Sequence, residues 1–264
     1  MMEKFQEIAT VVKQQELVEG IYDLTLQTKD IAAAAKAGQF VSVYSNDPSK
    51  LLPRPISLCG IDKEKGQIRL VYRVTGEGTG TEEFSKLKEG DSVKILGPLG
   101  NGFTVEEGKT AFLIGGGIGV PPMLQLAKDI NASGDVPKMQ IIMGYRDENT
   151  FLLDEFKEQA ESFVSSDNGA VGTKGTVVDA IKANNLKADV IYACGPTPML
   201  RALRDYADEN GMTCYISMEE RMACGIGACL ACVCKTKEKD HHSNVNNKRI
   251  CKEGPVFNAK EVEL

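Results

Sequence analysis

Apolar and polar positions alternate in short runs through the first hundred residues of the chain. The runs are IATVVKQQ (8–15), IYDLTLQT (21–28), QFVSVYS (39–45), RPISLCGI (54–61), QIRLVYRV (67–74) and SVKILG (92–97). They are rich in Val, Ile, Tyr and Thr, and clusters of Gly, Asp, Pro and Lys part them. A period of two with turn residues between runs predicts six strands. One short segment, TEEFSKLK (81–88), has helical spacing. Together they predict a small antiparallel β-barrel over residues 1–100.

The pattern changes near residue 110. TAFLIGGG (110–117), MQIIMGYR (139–146), DVIYACG (189–195) and TCYISM (213–218) read as buried strands. Helical periodicity fills the intervals at 120–131, 151–163, 176–184 and 197–211. Pro121 and Pro122 fall in a first helical turn, where a missing N–H costs little. Alternating strands and helices predict a parallel sheet with crossover helices over residues 101–218. The Gly-rich loop GPLGNGFTVEEGK (97–109) joins the two regions. From residue 219 to 264 periodicity fades, and this segment ends in a polar stretch and a short tail. So short a segment builds no core of its own and needs a metal or cluster to hold it.

Composition narrows the function classes. The 264 residues are 42% hydrophobic and 26% charged, ordinary values for a globular chain. The net charge of −6, the absence of Trp and the 6% aromatic content argue against a nucleic-acid partner. No run is long and apolar enough for a membrane span, and the N-terminal residues lack the apolar core of a secretory leader. A reducing, cytoplasmic setting is therefore expected, and there clustered cysteines read as ligands rather than disulfides.

Five of the eight cysteines, Cys224, Cys229, Cys232, Cys234 and Cys251, crowd into the last region. Four residues separate the first two, two separate Cys229 from Cys232, and Cys251 stands further on. That is the plant-type [2Fe–2S] spacing. The intervening GIGA and LA are small, which lets backbone N–H groups approach the sulfurs. Structural zinc is the alternative for such thiols, although zinc knuckles favour symmetric pairs. Cys234 reads as a spare buried thiol, as do Cys59 and Cys214.

Two loops carry nucleotide-binding character. GGGIGVPPM (115–123) follows a strand and opens a helix, and ACGPTPM (193–199) repeats the arrangement. Glycines admit a pyrophosphate, and ligands of parallel sheets sit beyond the strand carboxyl ends. In GYRDEN (144–149), Asp147 and Glu148 favour the ribose of NAD, while Arg146 pulls toward a 2′-phosphate. In the barrel region Arg54, Pro55, Ile56 and Ser57 offer a cation and a hydroxyl. Gly76 to Thr79 precede the short helix. His241 and His242 are the only histidines, adjacent in a charged loop. With no GxSxG or HExxH motif, no catalytic acid–base residue is expected, so the chemistry belongs to cofactors.

RPIS (54–57), LVYRVTGEGT (70–79), GGGIGVPPM, ACGPTPM and CGIGACLACVC (224–234), in this order, resemble the ferredoxin–NADP reductase superfamily. SMEERMACGIGACLACVC (217–234) is similar to the electron-transfer subunits of NAD-linked, two-subunit (class 1B) dihydroorotate dehydrogenases. The resemblance spans nearly the whole chain. It implies a barrel that binds FAD, with Arg54, Pro55, Ile56 and Ser57 on the flavin and its phosphates. Leu70, Val71 and Tyr72 would line the ring, and Gly78 and Thr79 would take the pyrophosphate. Gly116, Gly117, Gly119, Cys194, Gly195 and Pro196 would form the NAD side, with Asp147 on the ribose. Cys224, Cys229, Cys232 and Cys251 would hold the [2Fe–2S] cluster. The partner implied is an FMN-containing catalytic subunit that interconverts dihydroorotate and orotate, in a heterotetramer of two heterodimers. The polar insert before Cys251 and the fifth cysteine, Cys234, depart from that pattern. A stand-alone NADH reductase for an oxygenase or ferredoxin, and a zinc-bearing nucleotide-binding regulator, are the rival readings.

Overall fold

A computed structural model describes residues 3–239 and 244–264. His241 and His242 lie outside them. The chain divides into two units. The first runs to Gly102 and takes in Glu219–Val233 and Arg249–Pro255. The second comprises Phe103–Met218, Cys234–Lys248 and Val256–Leu264. Residues 219–264 are thus shared between the units.

The first unit is built on strands β1 (Phe5–Val18), β2 (Ile21–Gln27), β3 (Phe40–Val43), β4 (Arg54–Asp62), β5 (Gln67–Arg73) and β6 (Ser92–Leu99). They close into a barrel in the order β1-β2-β5-β4-β3-β6, and every pairing is antiparallel. β1 is longer than its hydrophobic run suggests because it serves two neighbours. Phe5 to Thr10 pair with β6, and Thr10 to Val18 pair with β2. An irregularity between Val11 and Lys13 bends the strand from one partner toward the other, as a bulge does. Alternate residues fill the interior, among them Ala9, Val11, Leu24, Leu26, Ile68 and Leu70. The short helices α1 (Asp30–Ala34) and α2 (Gly80–Phe84) contribute Ile31 and Phe84 to that core.

The second unit is a sheet with helices between its strands. Its elements are β7 (Ala111–Gly116), α3 (Val120–Ser133), β8 (Met139–Tyr145), α4 (Leu153–Lys157), β9 (Glu161–Ser166), β10 (Thr173–Lys174), α5 (Val177–Ala183), β11 (Val190–Cys194), α6 (Thr197–Glu209) and β12 (Thr213–Ser217). The strands lie in the order β10-β9-β8-β7-β11-β12, all parallel. β7, β8 and β11 are buried along almost their whole lengths, so they read as continuous apolar runs.

The stretch 151–163 differs from expectation. Its helix stops at Lys157, and Glu161–Ser166 forms β9, paired in parallel with β8. The apolar spacing of FLLDEF mimics a longer helix, while ESFVSS has too little hydrophobicity to announce a strand. Only sheet burial of Ser165 and Ser166 reveals it. α5 starts on a capping box between Thr176 and Asp179, a helix-start signal by itself.

The last residues also differ from a featureless tail. Two short strands, β13 (Val233–Lys235) and β14 (Asn247–Arg249), pair with each other. Then β15 (Val256–Asn258) joins the large sheet antiparallel to β12, with Phe257 opposite Ile216. Three residues are too few to show a period, and the edge of an existing sheet supplies their hydrogen bonds.

Candidate functional site

Three groups of residues stand where the sequence placed cofactor chemistry. In the barrel, Arg54 opens β4, and its stem crosses the first turn of α2. A Cβ added to Gly80 would meet Arg54 Cγ and Nε at 3.5 Å, an ordinary van der Waals contact, so the Arg54 stem runs alongside the start of that helix. Arg54 Nη1 donates to the Leu52 carbonyl at 3.0 Å. Gly76 and Gly78 have φ of 135° and 73°. A Cβ on either would meet nothing within 4 Å. These glycines answer a backbone requirement, and the turn they make opens outward, free of neighbouring chain. Thr79 caps α2, accepting from the Glu82 N–H at 3.3 Å and donating to the Gly76 carbonyl at 2.7 Å. The Gly78 N–H donates to the Glu82 carboxylate at 2.6 Å, so a side-chain anion already uses it.

The strand residues of this group divide by face. Ile56, Leu70 and Tyr72 belong to the barrel core. The Tyr72 hydroxyl donates to Gln14 Oε1 at 3.0 Å, its ring stacks on Tyr22, and burial pushes the phenol well above its ordinary value. What Leu70 and Tyr72 offer a ligand outside the barrel is therefore main chain. Pro55, Ser57 and Val71 fall on the alternate positions and face outward.

In the second unit both glycine loops lie at the carboxyl ends of neighbouring strands. Cys194 of β11 stands opposite Gly115 of β7. The first loop turns through the single 3₁₀ turn Gly117–Gly119 into α3, with Gly117 at φ 54°. A Cβ on Gly119 would fall 2.6 Å from Gly195 N, and one on Gly116 would reach Pro196 Cδ at 3.3 Å. The loops of residues 116–119 and 194–196 therefore form one surface, and Met199 packs beneath both Gly116 and Gly195. In the sequence Met199 ends the ACGPTPM motif, and nothing in its spacing marks this role. Asp147 follows β8, the other neighbour of β7. Its Oδ1 accepts from Asn149 N at 2.9 Å and Asn149 Nδ2 at 2.8 Å.

The four cysteines of the plant-type spacing all fall in the first unit, and Cys234 falls in the second. Cys224 Sγ accepts from the N–H groups of Ala228 at 3.3 Å and Cys229 at 3.4 Å. Burial disfavours its thiolate, but the N–H groups of Ile226, Cys229 and Ala228 and the Cys229 thiol outweigh that, holding it down to about 6. Cys251 N donates to Cys232 Sγ at 3.5 Å, and Ile250 N to the Cys232 carbonyl at 2.9 Å. Burial, then the hydrogen bond and charge of Cys232, push the Cys251 thiol up to about 12. The thiols thus meet as two pairs. Among the described residues no three His, Cys, Asp or Glu side chains gather around a single point. Two pairs of thiols suit the two irons of a [2Fe–2S] cluster, and N–H groups aimed at sulfur suit its charge.

Residues that the spacing did not mark hold this arrangement. Arg249 Nη1 donates to the Gly227 carbonyl at 2.9 Å, and its Nε donates to Glu253 Oε2 at 3.0 Å. Asn101, just past β6, donates through Nδ2 to the carbonyls of Lys252 at 3.1 Å and Glu253 at 2.9 Å. Gly225 takes φ 68°, and a Cβ there would lie 2.9 Å from Leu99 Cδ1. A glycine beside Cys224 therefore meets both the positive φ and the close approach to β6.

Three family models match successive parts of the chain. An oxidoreductase FAD-binding domain matches residues 9–103, and an oxidoreductase NAD-binding domain matches residues 113–205. The iron-sulfur cluster binding domain of dihydroorotate dehydrogenase B matches residues 219–263. The chain is 43% identical over 260 residues to the dihydroorotate dehydrogenase B (NAD(+)) electron transfer subunit of Bacillus pumilus, covering 97% of each. It is 44% identical to that of Bacillus caldolyticus, covering 98% of this chain and 99% of the relative. A chain of the NADH-dependent reduced ferredoxin-NADP oxidoreductase superposes with a TM-score of 0.85 at 30% identity, over 97% of this chain and 90% of that one. The cytochrome b5 reductase domain of Ulva prolifera nitrate reductase shares the fold alone, with a TM-score of 0.64 at 17% identity over 79% of this chain and 94% of that one. A likeness of this degree runs the full length of the curated relatives and takes in the cysteine segment. The chain belongs to the family of NAD-linked dihydroorotate dehydrogenase B electron transfer subunits.

Proposed function

We propose that the chain carries electrons between NAD(H) and an FMN-containing catalytic subunit that converts dihydroorotate to orotate. When bound, FAD would supply the exchange of a hydride for single electrons and a [2Fe–2S] cluster would supply one-electron transfer. The observation that carries the reading is the pairing of Cys224 with Cys229 and of Cys232 with Cys251 in the unit that also holds the flavin motif.

The chain's own residues bind and orient. Arg54 supplies a cation for the flavin phosphates, and at the Gly76 to Thr79 turn a phosphate would take over the Gly78 N–H from the Glu82 carboxylate. Ser57 and Pro55 face outward from β4, where they would meet the flavin ring together with the main chain of Leu70, Val71 and Tyr72. Gly116, Gly119 and Gly195 let the two loops close on each other and on Met199, and the surface they make with Gly117, Cys194 and Pro196 would take the nucleotide backbone. Asp147 accepts from the ribose and disfavours a 2′-phosphate. Cys224, Cys229, Cys232 and Cys251 hold the irons, and the Arg249–Glu253 pair and Asn101 keep the second ligand segment in place. All eight cysteines are free, in keeping with a reducing, cytoplasmic setting.

Among the described residues no helix is long and apolar enough to cross a membrane. Neither unit is a parallel (β/α)8 substrate barrel, which typically needs about 250 residues. The test follows. The purified chain with NADH should reduce an artificial acceptor and should not oxidise dihydroorotate. Co-expressed with the catalytic subunit it should elute as two heterodimers and restore turnover. Dihydroorotate oxidation by the chain alone, or restoration by a ferredoxin instead of the catalytic subunit, would overturn the reading.

A further inference from the structure

One buried polar atom of the barrel has no partner. Ser42 lies on β3 and is 1% exposed. Its Oγ is the one buried side-chain nitrogen or oxygen among the described residues that makes no hydrogen bond. Its neighbours Val41 and Val43 turn into the barrel core, so the pleat sends Ser42 to the opposite face. What lies there is the cysteine loop. A Cβ on Gly225 would be 3.1 Å from Ser42 Oγ, and Gly225 directly follows Cys224. The same strand places Ser42 opposite Pro55 on β4 and Phe40 opposite Ser57. Ser42 therefore stands on the strand that has the flavin motif on one side and the first cluster ligand against its outer face.

A hydroxyl buried without a partner costs about 1–3 kcal/mol. Backbone and side chains around Ser42 have left that cost unmet, and the residue packed against its Oγ, Gly225, directly follows Cys224 and whatever that cysteine binds. We propose that the Ser42 hydroxyl donates a hydrogen bond to a sulfur at the iron held by Cys224, and that this bond raises the cluster's reduction potential. Reduction adds negative charge to the cluster, and a donor aimed at a sulfur favours the more negative state. Ser42 is a positioning and tuning residue, and no bond to it forms or breaks. The inference rests on the iron–sulfur reading of the four cysteines.

The test uses the full chain in complex with its catalytic subunit and compares Ser42→Ala and Ser42→Thr with the unaltered protein. Iron and acid-labile sulfide are assayed first, and their absence from the unaltered protein would overturn the cluster reading itself. Redox titration followed by EPR then gives the cluster potential, and the flavin is titrated alongside. Ser42→Ala should keep its iron and its flavin potential, while one-electron uptake by the cluster becomes less favourable about tenfold, equivalent to about 59 mV. The shift of iron–sulfur stretching frequencies in D₂O should shrink in Ser42→Ala, and Ser42→Thr, which keeps the donor, should restore both readouts. An unchanged cluster potential in an iron-replete Ser42→Ala overturns the proposal, as does a shift in the flavin potential instead. If Ser42→Ala loses iron, its recovery in Ser42→Thr supports the bond, and loss in both variants overturns it.

Discussion

Gly119 approaches Cys194 so closely that a methyl group on it would overlap the Cys194 carbonyl and lie 2.6 Å from Gly195 N. This contact locks the loop after β7 to the loop after β11. It makes one nucleotide surface out of two glycine turns that are more than seventy residues apart in the chain.

Gly119→Ala should therefore damage the nucleotide side selectively. The obstacle is backbone, which cannot swing away, so the loops must part at a cost of about 1–3 kcal/mol. NADH should bind about five- to a hundredfold more weakly. Iron and flavin contents should match the unaltered protein, because both motifs lie in the other unit. Stopped-flow reduction by NADH at several concentrations measures the affinity. An unchanged value would show that the loops do not form the NAD surface.

Arg54 runs beside Gly80, which directly follows the Gly76 to Thr79 turn. Arg54→Ala removes a charge-assisted phosphate contact of about 1.5–3 kcal/mol. FAD affinity should fall about ten- to a hundredfold. Fluorescence of flavin released on dilution gives the dissociation constant. Equal retention of FAD by variant and unaltered protein would count against this site.

The cysteines separate cleanly. Ser at Cys224, Cys229, Cys232 or Cys251 should abolish the cluster, whereas Cys234→Ser should leave iron and sulfide unchanged. Arg249→Met should act in between, because it frees the Gly227 carbonyl and Glu253 while sparing every thiol. Its cluster should form and then bleach faster in air. Retention of the cluster in Cys251→Ser together with its loss in Cys234→Ser would reassign the fourth ligand.

The capping box of α5 gives a pH dependence. The Thr176 backbone N–H and then its hydroxyl hold the Asp179 carboxyl below the ordinary carboxylate range. A lowered folded value means that the stabilisation is present above the unfolded value near 3.9 and is lost as the pH falls through the folded one. Thr176→Ala should cost about 1 kcal/mol at neutral pH. Asp179→Asn should be less stable than the unaltered chain at neutral pH, and the gap should close in acid as the pH falls through the lowered folded value. Urea unfolding at the two pH values checks it. A gap that persists in acid would show that the cap does not depend on the carboxylate's charge.

Local patterns carried much of the architecture. Period-two runs announced the barrel strands, because each has one face in the core and one outside it. The continuous apolar runs of β7, β8 and β11 announced a sheet buried on both faces. The spacing of Cys224, Cys229, Cys232 and Cys251 announced iron–sulfur chemistry, because ligand spacing is written along the chain. What escaped the pattern depends on neighbours that only folding supplies. β9 has serines where its burial would call for aliphatics, and β8 is what makes it a strand. β15 is three residues long and exists because β12 offers an open edge. β1 extends past its hydrophobic run because it has two partners and a bulge between them. The same holds at the candidate site. Arg249, Glu253 and Asn101 look like solvated polar residues until the chain brings them to the carbonyls beside the cysteines. Ser42 sits in an ordinary FVSV strand, and its orphaned hydroxyl appears only when Gly225 is packed against it. Periodicity encodes which face of an element is buried. Which partner covers that face, and which polar atom is left unpaired, arises from contacts between residues far apart in the chain, and those exist only in the folded molecule.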